Sequence, residues 1–311
     1  MSRDSEIEEI LNQFTTIGDF LRWTMSQFKQ AQLWYGHGSD NAYDEALYLV
    51  AYALNLKSQA VLDYRQAKIT QHEKQAIISL VSIRIEKRIP LAYLTHEAWF
   101  AGLSFYVDQR VLIPRSPIAE LIVTQFQPWI DPEKIVSVLD LCTGSACIAL
   151  ACAYYLPTVM VFASDISPDA LAVAQRNIEE YGFGERVKCV QSDLFREIKP
   201  RQFDLIISNP PYVGKEDMQT LPPEYRHEPI LGLEAGADGL AVVERILWES
   251  LDYLTPEGIL IVEVGKSQHQ LVEKYPDVPF VWLEFEQGGE GVFLLTAANL
   301  TAYHHRFKGT G

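Results

Sequence analysis

The sequence predicts an α/β fold: a small helical N-terminal domain, then a mainly parallel sheet that ends in an antiparallel hairpin. Three observations carry this. Apolar positions return every three to four residues across 7–86, the period of helices. From Ile118 onward, short apolar runs alternate with helical stretches, the pattern of a sheet covered on both faces. The last two apolar runs lie close together, joined by Gln287-Gly-Gly-Glu290, which makes them antiparallel neighbours.

In the first 95 residues, Ile17, Phe20, Leu21, Thr24 and Phe28 share one helical face. A break at Tyr35-Gly-His-Gly-Ser-Asp-Asn41 follows, where Ser39, Asp40 or Asn41 can cap the next helix. Thr70-Gln-His-Glu73 has capping-box spacing and opens a third helix, stopped near Pro90. Residues 96–113 change period and are expected to form a linking β-hairpin, with Asp108-Gln109-Arg110 as its turn. The remaining domain, 114–311, has strand candidates at 136–141, 159–166, 187–190, 203–208, 258–264, 281–285 and 291–295. Its helices are expected at 145–156, 168–181 and 239–254.

Composition narrows the function. With 311 residues and 48% hydrophobic content, the chain reads as an ordinary globular protein. No run approaches the roughly 20 apolar residues needed to cross a bilayer, and the polar, acidic start is wrong for a secretory signal. Cys142, Cys147, Cys152 and Cys189 match no metal or disulfide spacing, so buried thiols in a reducing cytoplasm, with no metal, are expected. The net charge is −15, and residues 114–311 hold 15 basic against 28 acidic residues. This disfavours nucleic acid, whose binding depends on neutralising phosphates, and suits a basic protein partner.

The candidate site is organised around Phe203-Asp-Leu-Ile-Ile-Ser-Asn-Pro-Pro-Tyr212. A buried strand stops at Asn209-Pro210-Pro211-Tyr212, where two prolines impose a stiff, extended tip. That tip carries an amide side chain, free carbonyls and a ring. It could hold a planar amide or amidine by its N–H bonds, and equally it could be a plain Pro-rich turn.

Upstream, Val138-Leu-Asp140-Leu-Cys142-Thr143-Gly144-Ser145 reads as strand, tight loop and helix start. A dinucleotide fingerprint would place three glycines here, so a nicotinamide cofactor is disfavoured. Asp140 at a strand end suits an ammonium group, which S-adenosyl-L-methionine has. Asp165, 21 residues after Gly144, is placed to receive ribose hydroxyls, with Ile166 beside it. Asp193 and Leu194 end the third strand, where the carboxylate can accept from an exocyclic adenine amine. Asn209 faces both cofactor and substrate in this reading.

With these residues in place, the sequence resembles the class I (Rossmann-like) methyltransferases that carry N-P-P-Y and modify a glutamine side-chain amide. Phe100-Ala-Gly-Leu-Ser-Phe105, Val111-Leu-Ile-Pro-Arg115 and Glu228-Pro-Ile-Leu-Gly-Leu233 resemble that family's segments. The release-factor branch continues Pro-Arg with Pro-Glu-Thr-Glu, whereas here the chain reads Pro114-Arg-Ser-Pro-Ile. That departure, with Leu21-Arg-Trp23, resembles the branch whose substrate is large-subunit ribosomal protein three. Ala146 stands where the branch usually has glycine, adding a methyl expected near the cofactor. The resemblance implies an S-adenosylmethionine-dependent protein-glutamine methyltransferase. Asn209 and Pro210 would then accept the amide N–H bonds, Tyr212 would pack on the amide plane, and residues 213–238 would form a lid. His227 is expected to be structural.

Overall fold

The computed structural model describes residues 3–308, so the outermost positions of the two expected domains lie outside the described residues. The chain divides into two compact units. One comprises Met1–Glu97 with Pro222–His227, and the other Ala98–Leu221 with Glu228–Gly311.

The first unit is helical: α1 (Arg3–Gln13), α2 (Ile17–Gln30), α3 (Ala42–Ala53), α4 (Ser58–Asp63), α5 (Gln71–Lys87) and α6 (Leu91–Thr95). Its core joins Phe20, Phe28, Leu49, Val50, Ile77 and Val81, the apolar stripes of α2, α3 and α5. Asn41 caps α3 by accepting from the Tyr43 and Asp44 amides, both at 3.0 Å. The box predicted at Thr70 forms, with the Glu73 carboxylate accepting from the Thr70 N–H at 2.6 Å.

Beneath that core lies a buried ionic cluster. The Arg84 guanidinium donates to Glu45 at 2.5 Å, to Glu224 at 3.2 Å and to the Trp34 carbonyl at 3.0 Å. Glu224 belongs to the short segment 222–227, which leaves the second unit after Leu221 and returns to it at Glu228.

The second unit begins with a two-stranded sheet, β1 (Glu97–Phe100) and β2 (Leu103–Tyr106). Its turn is Ala101-Gly102, not Asp108-Gln109-Arg110 as the sequence suggested. Both turn residues take positive φ, 50° and 76°, which is the two-residue geometry that matches strand twist. Asp108-Gln109-Arg110 forms a separate turn after the strands, closed by the Asp108 carboxylate on the Arg110 N–H.

There follow α7 (Ile118–Val123), β3 (Ser137–Leu141), α8 (Cys147–Tyr155), β4 (Met160–Asp165), α9 (Pro168–Tyr181), β5 (Val187–Gln191), β6 (Phe203–Ser208), α10 (Ala241–Glu249), β7 (Leu254–Glu263), α11 (Gln268–Lys274), β8 (Val281–Trp282), β9 (Val292–Thr296) and α12 (Ala297–Tyr303). The seven-stranded sheet runs β5-β4-β3-β6-β7-β9-β8. Pairing is parallel through β7 and antiparallel for β9 and β8, as expected.

Strand alternation divides the core in two. Val138, Leu205, Ile207 and Ile261 pack with α7, α8 and α9, while Leu139, Ile206, Leu260 and Val262 pack with α10, α11 and α12. The strand expected to begin at Gly258 begins at Leu254, because Thr255–Gly258 forms an irregularity opposite Phe203–Leu205 and does not end the strand. The helix expected over 239–254 is correspondingly shorter.

Candidate active site

In register, Asp140 pairs with Ile207 and Ala163, so β3, β4 and β6 end level with one another. The order β4-β3-β6 places a topological switch between β3 and β6, where the loops diverge and leave a crevice. A cavity of about 300 Å³ opens there.

Its wall includes Cys142, Thr143, Gly144, Ser145, Asp165, Ile166, Asp193, Leu194, Asn209 and Pro211 from the sequence-predicted set. Asp140, Pro210 and Tyr212 are not part of that wall. Asp140 is fully buried and organises the loop, accepting from the Thr143 hydroxyl at 2.5 Å and the Ala149 N–H at 3.1 Å through one oxygen. Burial pushes its carboxyl up to about 7, against the pull of those two donors. Its other oxygen, Oδ1, has no hydrogen-bond partner.

Asp165 holds the loop from the neighbouring strand. One oxygen accepts from the Gly144 N–H and the other from the Ser167 N–H, both at 2.9 Å. Ser167, not Asp165, caps α9, by accepting from the Ala170 N–H at 3.2 Å. As an acceptor with up to four lone-pair sites, the carboxylate has capacity beyond these amides for a diol. Ala146 is fully buried at φ 62° and is absent from the cavity wall, so its methyl points into the core and not toward a cofactor. Burial pushes the Cys142 and Cys147 thiols up, which favours their protonated form.

Asp193 is already engaged: the Arg245 guanidinium lies 2.8 Å from it and also lines the cavity. Sequence reasoning missed Arg245, whose only local signal is an i,i+4 pairing with Glu249. Also missed was the fork of Arg115 on Glu228, at 2.6 and 2.8 Å, with Glu228 accepting the Ile113 N–H as well. It fastens the lead-in 111–116 to the segment 228–233, and both contribute cavity wall through Leu112, Pro114, Leu231 and Gly232.

The expected lid is not structureless. Val213 pairs with Glu234, and the Val213 and Ala235 amides close that ladder at 2.8 and 3.0 Å. His227 has its Nε2 on the Lys87 carbonyl at 2.7 Å within the helical unit.

At the tip itself, Asn209 Oδ1 is shielded from solvent and has no hydrogen-bond partner. Tyr212 donates its hydroxyl to Glu263 at 2.9 Å, and its carbonyl accepts from the Ser267 hydroxyl at 2.8 Å.

The sheet order, the reversed last strand and a cavity at the switch define a class I methyltransferase. The family model described as methyltransferase small domain matches residues 119–221. A crystal structure of the hMettl16 catalytic domain in complex with MAT2A 3'UTR hairpin 6 shares this fold, with a TM-score of 0.50 and 18% identity over 72% of this chain and 81% of that one.

Sequence relatives are nearer. The chain is 47% identical to the ribosomal protein uL3 glutamine methyltransferase of Francisella tularensis subsp. tularensis, over 97% of this chain and 96% of that protein. It is 46% identical to the protein of that name from Neisseria meningitidis serogroup B, over 93% and 95%. This chain belongs to the ribosomal protein uL3 glutamine methyltransferase family.

Proposed function

We propose that the chain transfers a methyl group from S-adenosylmethionine to the side-chain amide nitrogen of a glutamine in ribosomal protein uL3, the large-subunit ribosomal protein three. The substrate follows from the relatives. The chemistry rests above all on Asn209, which lines the cavity and whose Oδ1 is a buried acceptor with no hydrogen-bond partner. Burying an acceptor unpaired costs on the order of 1–3 kcal/mol, which an incoming amide N–H would offset.

The residues of the cavity fit S-adenosylmethionine. Asp165 offers lone pairs for a ribose diol, Asp193 an acceptor near an exocyclic amine, and Ile166, Leu194 and Val242 apolar surface for a purine. The bound cofactor would supply a methyl group on a sulfonium leaving group.

An amide nitrogen is a weak nucleophile because its lone pair is shared with the carbonyl. Asn209 Oδ1 and the Pro210 carbonyl would accept hydrogen bonds from its two N–H groups, fixing the nitrogen's direction and raising its electron density. One of the two protons would leave to solvent during or after transfer as the thioether departs. The stiffness imposed by Pro210 and Pro211 keeps those two acceptors in place without reorganisation. The base of the 213–238 segment, with Leu231 and Gly232 on the cavity wall, would exclude water. We assign reading of the protein substrate to the helical unit.

Incubating the protein with labelled S-adenosylmethionine and separated ribosomal proteins, release factors and DNA tests this. Label should appear on uL3; label on a release factor or DNA alone contradicts it.

A further inference from the structure

Tyr212 is held on three sides. Its hydroxyl donates to Glu263 Oε1 at 2.9 Å. Its carbonyl receives the Ser267 hydroxyl and lies so close to Gly239 that a Cβ there would sit 2.3 Å away. Its ring lies against Gly265, where a Cβ would come within 2.7 Å of Cε2. Gly239 and Gly265 take φ of 78° and 47°, so both the conformation and the close approach require glycine.

Glu263 is the last residue of β7, one position beyond Val262, the register partner of Ser208 on β6. The carboxylate therefore springs from the strand beside the one that carries Asn209. It is 5% exposed, and its second oxygen accepts from the Ser116 hydroxyl at 2.5 Å. Burial pushes its carboxyl up, the Ser116 and Tyr212 hydroxyls draw it down, and Arg115 is the cation that acts on it. A buried carboxylate held by two hydroxyls is a costly way to fill core space, and an apolar side chain of that size would be cheaper. Its geometry, by contrast, is directional.

We propose that Glu263 is a positioning residue for methyl transfer, which with Ser116 fixes the Tyr212 ring and thereby the Asn209–Pro211 tip. This rests on reading the tip as the amide site. Glu263 does not touch substrate; it acts through Tyr212.

The test measures kcat and KM for uL3, and S-adenosylmethionine affinity by calorimetry, on the full chain carrying Tyr212→Phe, Glu263→Ala, Glu263→Gln and the Tyr212→Phe/Glu263→Ala pair. Losing one oriented hydrogen bond to a charged partner should lower kcat about tenfold in Tyr212→Phe and in Glu263→Ala. Cofactor affinity should stay within about twofold, since neither residue lines the cavity. The double variant should lose no more than Glu263→Ala alone, because both changes cut one contact. Glu263→Gln, which keeps an acceptor for the Tyr212 hydroxyl, should recover most of the rate. Wild-type kcat in folded Tyr212→Phe, or losses that multiply in the double variant, would overturn the proposal. If Glu263→Ala does not fold, Ser116→Ala with Tyr212→Phe tests the same chain through Glu263. Ser116→Ala should lower kcat in the wild-type background and add nothing to Tyr212→Phe, and independent losses would overturn the proposal. Asn209→Ala in parallel separates the two readings: full activity there removes the amide site itself, whereas its loss beside an unaffected Glu263→Ala removes only the Glu263 role.

Discussion

Replacing Arg84 with Met should destabilise the helical unit by about 3 kcal/mol. The side chain is 1% exposed and ties together Glu45 and Glu224, whose side chains are 4% and 0% exposed. Met fills most of the volume, so the loss is electrostatic. Two buried carboxylates would face each other with their shared cation gone, and breaking a buried pair from one side costs about 3–5 kcal/mol. The lower end applies because Glu224 keeps Arg88 at 3.4 Å and the Trp34 N–H at 3.1 Å, while Glu45 keeps the Ser39 hydroxyl at 2.9 Å. Arg84→Lys, a single point charge in place of a fork, should fall between.

The ionic contribution has a definite pH sign. Burial acts to raise the Glu224 carboxyl, but the Trp34 N–H, its own backbone N–H and Arg84 together draw it below its ordinary 4.5. A carboxyl depressed in the folded state adds stability that is present above 4.5 and lost as pH falls below it. Thermal and urea unfolding followed by circular dichroism at pH 7 and pH 4 measures both effects. An Arg84→Met protein within about 1 kcal/mol of wild type at pH 7 would refute the reasoning, since that is the scale of an exposed pair.

Two further outcomes follow from the carboxylates that hold the 142–145 loop. Asp140 is raised from 3.8 to about 7, so its stabilising contribution is complete below 3.8 and lost as pH rises through about 7. Asp140→Asn should therefore flatten the fall in melting temperature between pH 5 and 8, and parallel curves for the two proteins would contradict this. Asp165→Ala removes the acceptor for the Gly144 and Ser167 amides and for a diol. Calorimetry should show S-adenosylmethionine affinity reduced at least about tenfold, the scale of one charge-assisted hydrogen bond; unchanged affinity would exclude Asp165 from the cofactor site.

Elements whose periodicity is strong were legible in the chain itself. Residues 203–208 read as a buried strand and form β6, and Pro168–Tyr181 matches α9 because Ser167 and Gly182 mark its two ends. The hairpin turn was not, because Ala101 adopts positive φ without the glycine or asparagine that announces it, while Asp108-Gln109-Arg110 looks like a turn and is one, but beyond the end of β2. Thr255-Pro256-Glu257-Gly258 likewise carries turn composition inside a continuous strand, since a bulge absorbs it.

At the site, residues at strand ends could be found because a parallel sheet delivers successive strand ends to one edge. Contacts across long separations could not. Nothing near Arg115 announces Glu228, 113 positions away, nor does Ser116 announce Glu263, 147 positions away. Asp140 stands at the expected strand end, where it is fully buried and one of its oxygens accepts from the Thr143 hydroxyl and the Ala149 N–H of the loop, contacts that strand position alone does not announce.

The central claim is that the Asn209-Pro-Pro-Tyr212 tip holds the glutamine amide for transfer. Single-turnover methylation of uL3 by Asn209→Ala, measured beside its S-adenosylmethionine affinity, tests it most directly. Losing a pre-organised acceptor should slow transfer by a factor on the order of 100 to 1,000, with cofactor affinity changed only a few-fold. Near-normal turnover in that variant would contradict the account.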